Sequence, residues 1–201
     1  MPPDLIVFIA NYGYLAIFLL IFSQEIGIPN PVPNELVLAY AGFLAFKGVL
    51  FWPFIILVAS SADFLGTNLL YILFYLFGES IDKYKPKWLP FPKKRIKRLS
   101  ERISKNGLWA IYLGRLTPFI RGYTSVAAGL LKIKPKVFLP ITIFSATIWS
   151  SIYVISGRVL GPSLNLAENS LGNEKYLIVV FFVIIIFVIT FKFLKRRFAN
   201  H

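Results

Sequence analysis

The sequence predicts an all-α integral membrane protein: a bundle of spanning helices with two broken-helix hairpins that enter from opposite faces as an inverted repeat. Three observations predict it. Of 201 residues, 57% are hydrophobic and only 15% charged, against roughly 25% charged in a soluble domain. The apolar residues fall in runs, several near the ~20 positions that a crossing helix needs. The cations are clustered, with ten between positions 83 and 105 and four between 192 and 197, together 14 of the 22 Lys and Arg. In so apolar a chain these clusters read as cytoplasmic anchors rather than a nucleic-acid surface.

Residues 5–22 form the first expected span, interrupted by Asn11; no basic segment precedes it, which argues against a cleaved signal peptide. The first hairpin is expected at about 26–48. Its apolar part, 36–46, is too short to cross. Pro29-Asn30-Pro31-Val32-Pro33-Asn34 before it cannot be helical throughout. Residues 51–77 form a long span holding one charge, Asp63. A cytoplasmic amphipathic helix follows at about 92–105, with Ile96, Leu99 and Ile103 spaced by three and four. It is expected to lie on the membrane surface, either drawing anionic lipid heads or acting only as a solvated anchor.

The second hairpin is expected at about 108–131, where Arg115, Pro118, Arg121, Gly122 and Gly129 would make one lipid-facing helix costly. Residues 137–160 form a further span. Residues 176–195 form the last, lengthened by snorkelling Lys192 and Lys195.

Charge parity supports the hairpins. The 83–105 region and the C-terminus are both basic and are expected in the cytoplasm, so an even number of crossings separates them. Three apolar segments lie between, and the broken one, 108–131, is the one that does not cross. Lys132, Lys134 and Lys136 then fall in the cytoplasm, with Glu168 and Glu174 outside. The first hairpin dips in from the outer face, and the side of the N-terminus stays open. A short echo, Ala41-Gly42-Phe43-Leu44 and Ala128-Gly129-Leu130-Leu131, fits inverted repeats with discontinuous helices. Two Pro-kinked ordinary helices are the alternative. One membrane domain, 1–201, is expected.

The residue inventory narrows the chemistry. Cysteine is absent and the one histidine is His201, the last residue. Disulfides and thiolate sites are excluded, and triad hydrolases, zinc enzymes and His-dependent phosphatases lose their key group. No nucleophile–base pair suggests an enzyme, and no cofactor or metal is expected. Carboxylates and guanidiniums remain. Glu25 and Glu35 flank the three prolines, and Arg115 and Arg121 flank Pro118. Charges on non-helical backbone at membrane depth belong in one cavity. They serve either a ligand or structural salt bridges. Two guanidiniums suit an anionic head, phosphate best, so Arg115 and Arg121 are candidate substrate-binding residues. Glu25, Glu35 and Asp63 are candidate proton-coupling residues, because a desolvated carboxylate takes up a proton. For Asp63 a bond to a serine, Asn68 or a backbone carbonyl is the plainer alternative.

These residues carry a resemblance. Glu25-Ile-Gly-Ile-Pro29-Asn-Pro31-Val-Pro33-Asn34-Glu35 with Ala41-Gly42, and Gly114-Arg115-Leu-Thr-Pro118-Phe-Ile-Arg121 with Ala127-Ala128-Gly129, resemble the signatures of the DedA (SNARE-associated, VTT-domain) family. The resemblance covers about 25–161. It implies a multi-pass protein of a bacterial or archaeal cell membrane, similar to polyprenyl-phosphate and phospholipid flippases. The family's paired acids map onto Glu25 and Glu35, and its paired arginines onto Arg115 and Arg121. Pro29, Pro33, Asn34, Pro118 and Gly129 would set the hairpin geometry. Asn34 stands where the family usually has Gly, and Asn tolerates a left-handed turn.

The leading expectation is a proton-coupled flippase for an anionic lipid head such as undecaprenyl phosphate, or for a phospholipid. Its partners would be the lipid, protons and the membrane, with no nucleic acid; a homo-oligomer is left open. A proton-coupled small-ion antiporter and a non-transporting assembly factor are the alternatives.

Overall fold

A computed structural model of the chain describes residues 3–28, 30, 32–83, 93–117 and 120–166. The expected span at 176–195, and Pro29 and Pro118, lie outside them. Two compact units divide the chain at Val159. The first contains α1 (Pro3–Glu25), α2 (Asn34–Phe46), α3 (Trp52–Lys83), α4 (Lys93–Asn106), α5 (Leu108–Leu116), α6 (Arg121–Leu130) and α7 (Pro135–Val159). In the second, residues 161–166 are helical. No strand occurs among the described residues.

Local chemistry places the helix ends. After α1 the amide of Ile28 returns to the carbonyl of Ser23 and that of Gly27 to Gln24. This capping needs a left-handed residue, and Gly27 supplies it at φ 96°. The same bond pattern ends α2 around Gly48 and α6 around Lys132, which takes φ 52° without being glycine. α5 stops because Thr117 precedes Pro118 and is held extended at φ −85°, ψ 121°. Pro33, also extended, starts α2. Asn34 is the first residue of that helix rather than a left-handed turn: the proline before it already supplies the change of direction.

α3 is the axis of the first unit. Along its first half it runs parallel to α1. Phe51 N–H donates to Tyr14 Oη at 2.8 Å, the Tyr14 and Phe54 rings are 4.8 Å apart, and Gly66 faces Glu25 and Phe22. Along its second half it runs parallel to α6, with Gly129 against the Tyr71–Tyr75 backbone and Gly78 against Leu130. α7 is antiparallel to it, tied by Ser60–Ser150 at 2.8 Å, Asn68–Thr142 at 3.1 Å and the stacked rings of Tyr71 and Phe138. α1 therefore ends, and α6 begins, beside residues 63–67, the middle of the apolar stretch Trp52–Gly78. α1 thus continues beyond the expected bounds of 5–22, to Glu25, before the chain turns into α2.

α2 and α7 touch backbone to backbone. A Cβ on Gly157 would lie 1.9 Å from Ala39 O, and one on Gly42 would lie 2.1 Å from Val154 O. Small residues permit such approach where the bilayer supplies no hydrophobic drive between helices. α3 and α7 are long and apolar enough to cross a membrane, and their outward faces expose Leu57, Leu69, Phe77, Phe144 and Ile152. Apolar surface of this kind is what hydrocarbon covers.

The amphipathic helix departs from expectation. Ile96, Leu99 and Ile103 of α4 pack against Tyr71, Ala127, Ala128 and Phe138. The small residues of α6 leave a shallow face there, and the stripe meant for the membrane surface fills it. Lys97, Arg98, Arg102 and Lys105 remain exposed.

Candidate functional site

Two arginines and two carboxylates meet at the middle of α3. Asp63 Oδ1 accepts from Arg115 Nη2 at 2.6 Å and its Oδ2 from Arg121 Nη2 at 2.5 Å. Glu25 Oε1 lies 2.7 Å from the same Arg121 Nη2, and Oε2 lies 3.9 Å from Arg115 Nη1. The four side chains are between 1% and 7% exposed. Their charges alternate and cancel, as buried ions require.

On a continuous helix, six positions leave two side chains about 120° apart. The break after α5 removes that constraint, and both guanidiniums reach Asp63. Glu25 is the last residue of α1 and Arg121 the first of α6. Each stands at the pole of its helix that carries its own sign of charge. Neither position is favourable alone, and the pair offsets both. Arg115, in the last turn of α5, stands at a pole of opposite sign.

The two arginines differ in how well they are held. Arg115 Nε donates to Ser145 at 3.2 Å, Nη1 to Thr67 at 2.7 Å, and Nη2 to Asp63. Thr67 Oγ1 in turn lies 2.9 Å from Asp63 and 3.1 Å from Glu25; with one hydroxyl proton it serves one carboxylate at a time. Arg121 meets both carboxylates through Nη2 alone. Its Nε and Nη1 are buried without a partner among the described residues, and its Cζ rests 3.6 Å from the centre of the Trp149 ring.

Glu35 lies in the first turn of α2 and is 7% exposed. It makes no ion pair among the described residues, and its Oε2 has no hydrogen-bond partner there. The structure thus groups Glu25 with Asp63 rather than with Glu35. Asn34 contacts Glu25 at 3.5 Å, and Gly129 sets the approach of α6 to α3. Asn68, the plainer partner considered for Asp63, donates instead to Phe64 O and Thr142. Sequence reasoning missed Thr67, Ser145, Trp149 and Ser125, whose hydroxyl lies 3.4 Å from Arg115 Nη1. Thr67 was findable, one turn beyond Asp63 on the same face. Trp149 carried no signal in an otherwise aromatic helix.

Described residues that are helical throughout their regular structure, with membrane-length apolar helices and a buried charge cluster at mid-depth, are those of a membrane protein. The VTT domain matches residues 32–159, which takes in Glu35, Asp63, Arg115 and Arg121 and leaves Glu25 just outside. The chain belongs to the VTT-domain family. It is 32% identical over 189 residues to undecaprenyl phosphate transporter A of Staphylococcus aureus, covering 92% of this chain and 91% of the relative. It is 30% identical to the uncharacterized membrane protein YbfM of Bacillus subtilis, covering 76% and 93%. It is 28% identical to an alkaline phosphatase-like protein of Lactococcus lactis, covering 97% and 93%. No solved structure gives a significant match.

Proposed function

We propose that the chain carries an anionic, phosphate-bearing lipid head between membrane leaflets, with a polyprenyl phosphate such as undecaprenyl phosphate as substrate and protons as the coupling ion. The observation that carries this reading is the bonding of Arg121. One nitrogen holds two carboxylates while two nitrogens hold nothing. A phosphate that displaces either carboxylate from Nη2 gains a two-nitrogen fork, Nη2 with Nε or Nη1, which neither carboxylate now makes. The displaced carboxylate loses its Arg121 partner while still buried, Glu25 keeping only Arg115 at 3.9 Å, and it takes up a proton. One proton thus accompanies each anion. Glu35, buried beside the cluster and outside its ion pairs, is the second proton carrier.

The name of the Staphylococcus aureus relative supports the substrate class. The packing supports two re-entrant hairpins, α1–α2 and α5–α6, each reaching from one end of α3 to the level of Asp63, in the manner of inverted repeats. A carrier also fits the residues better than a phosphatase does, since the hydroxyl beside the carboxylates, that of Thr67, is fully buried and accepts from Arg115, which lowers its power to attack. A small-cation antiporter would need carboxylates open to the cation, whereas Glu25 and Asp63 are taken by guanidiniums.

The test is leaflet exchange of a fluorescent polyprenyl phosphate in liposomes, with and without a pH gradient. Arg121→Lys keeps the charge and loses the fork, so exchange should fall about tenfold or more in protein that inserts normally. Near-normal exchange in that variant refutes guanidinium recognition. Glu35→Gln should flatten the pH dependence.

A further inference from the structure

We propose that Trp149 is a second ligand for the anionic head beside Arg121, donating its indole N–H to a phosphate oxygen while its ring clamps the Arg121 guanidinium. The inference rests on the headgroup reading above and names a residue that reading does not use. Trp149 is 2% exposed, yet its Nε1 has no hydrogen-bond partner among the described residues. Indole N–H is a donor only and almost always finds an acceptor when buried. The guanidinium resting on this ring brings two further unpartnered donors, Nε and Nη1. Three buried N–H-bearing nitrogens without acceptors therefore share one stacked pair.

Orphaned donors are rare in native interiors, and each calls for an explanation. Here one explanation serves all three. A phosphate is small, carries several acceptor oxygens and is anionic, so it can meet both a guanidinium edge and an adjacent indole N–H. Glu35 Oε2 and Asn34 Oδ1 are buried acceptors without partners. Neither accepts from the indole in this structure. The stack has a second consequence. A guanidinium pressed on an aromatic face keeps its plane as well as its position, so the fork is presented in one orientation.

Packing alone would require the ring and not the nitrogen, and this separates the two roles. The probe is decyl phosphate titrated into full-length protein in neutral detergent, with indole nitrogens labelled by 15N. Binding is followed independently by phosphorus line broadening, and Trp149→Phe assigns the resonance. The expected result is a saturating downfield shift of the Trp149 indole proton that is lost in Arg121→Gln. Trp149→Phe, which keeps a ring and removes the donor, should bind about tenfold more weakly, the cost of one charge-assisted hydrogen bond. Saturable phosphate binding with an unmoved Trp149 resonance, or wild-type affinity in Trp149→Phe, overturns this inference and leaves the headgroup reading standing. No binding of decyl phosphate to the unaltered protein overturns both.

Discussion

The α1–α2 half and the α5–α6 half each bring two charges to the middle of α3, and each commits only one of them fully. Glu25 and Arg115 are bound on more than one side, whereas Glu35 and Arg121 keep unpartnered buried atoms. The halves differ in how they are held. α2 meets α7 through reciprocal glycines, backbone against backbone. α5 meets α6 through Gly114 against the side chain of Thr124, and α6 leans on α4 through Ile96, Leu99 and Ile103. The α2–α7 seam of the acidic half is backbone on backbone, whereas the α5–α6 and α4–α6 seams of the basic half are made by side chains, and its backbone contact, at Gly129, is with α3. For the proposed carrier that inequality matters, because side chains rearrange more readily than touching backbones.

The comparison breaks most severely at its centre. Asp63→Asn removes the carboxylate that both arginines hydrogen-bond. Taking one partner from a buried ion cluster costs about 3–5 kcal/mol, and thermal unfolding in detergent should show it. Adding Arg115→Gln to that variant restores neutrality and should recover part of the loss.

The same substitution placed in each half sharpens the contrast. Gly157→Ala puts a methyl group on the Ala39 carbonyl and should cost about 3 kcal/mol through separation of α2 from α7. Gly114→Ala meets only the Thr124 side chain, Oγ1 at 2.6 Å and Cγ2 at 3.2 Å, which can shift at the expense of the hydroxyl's bond to Ile120 O. About 1 kcal/mol is expected there. Equal losses would erase the distinction between the two seams. Tyr71→Phe tests the anchor of the loop after α6, because the Tyr71 hydroxyl donates to Ile133 O; its loss should cost about 1 kcal/mol. Gly122→Ala is the smallest and opposite effect. Nothing lies within 4 Å of the new methyl group on α6, and a helical Gly→Ala change should stabilise by roughly 0.5–1 kcal/mol.

Much of the helix plan was legible before any coordinates. Apolar run lengths placed α3 and α7, and the prolines placed the breaks before α2 and after α5. What covers an apolar face was not legible. The stripe of α4 has the same periodicity whether lipid or α6 lies against it. Nor does a run of hydrophobic residues record its direction beside a neighbour, so the parallel course of α1 and α3 was hidden. In the site, Arg115, Arg121, Glu25 and Asp63 were named from charge and position alone. Their pairing was not, because it depends on α1 continuing to Glu25 and so reaching the level of Thr67. Trp149 became visible only through the atoms left without partners around it.

The four charges of the cluster arrive far apart in time. Asp63 precedes Arg121 by 58 residues, which at synthesis rates of about 5–20 residues per second is roughly 3 to 12 s. For the first 52 of those residues Glu25 and Asp63 are present and neither guanidinium is yet made. A lone carboxylate is costly at the centre of a bilayer. The early segments must therefore either wait beside the insertion machinery or enter lipid with the acids protonated, and settle only when α5 and α6 emerge. The order of residues along the chain thus makes the second half the step that completes insertion of the first.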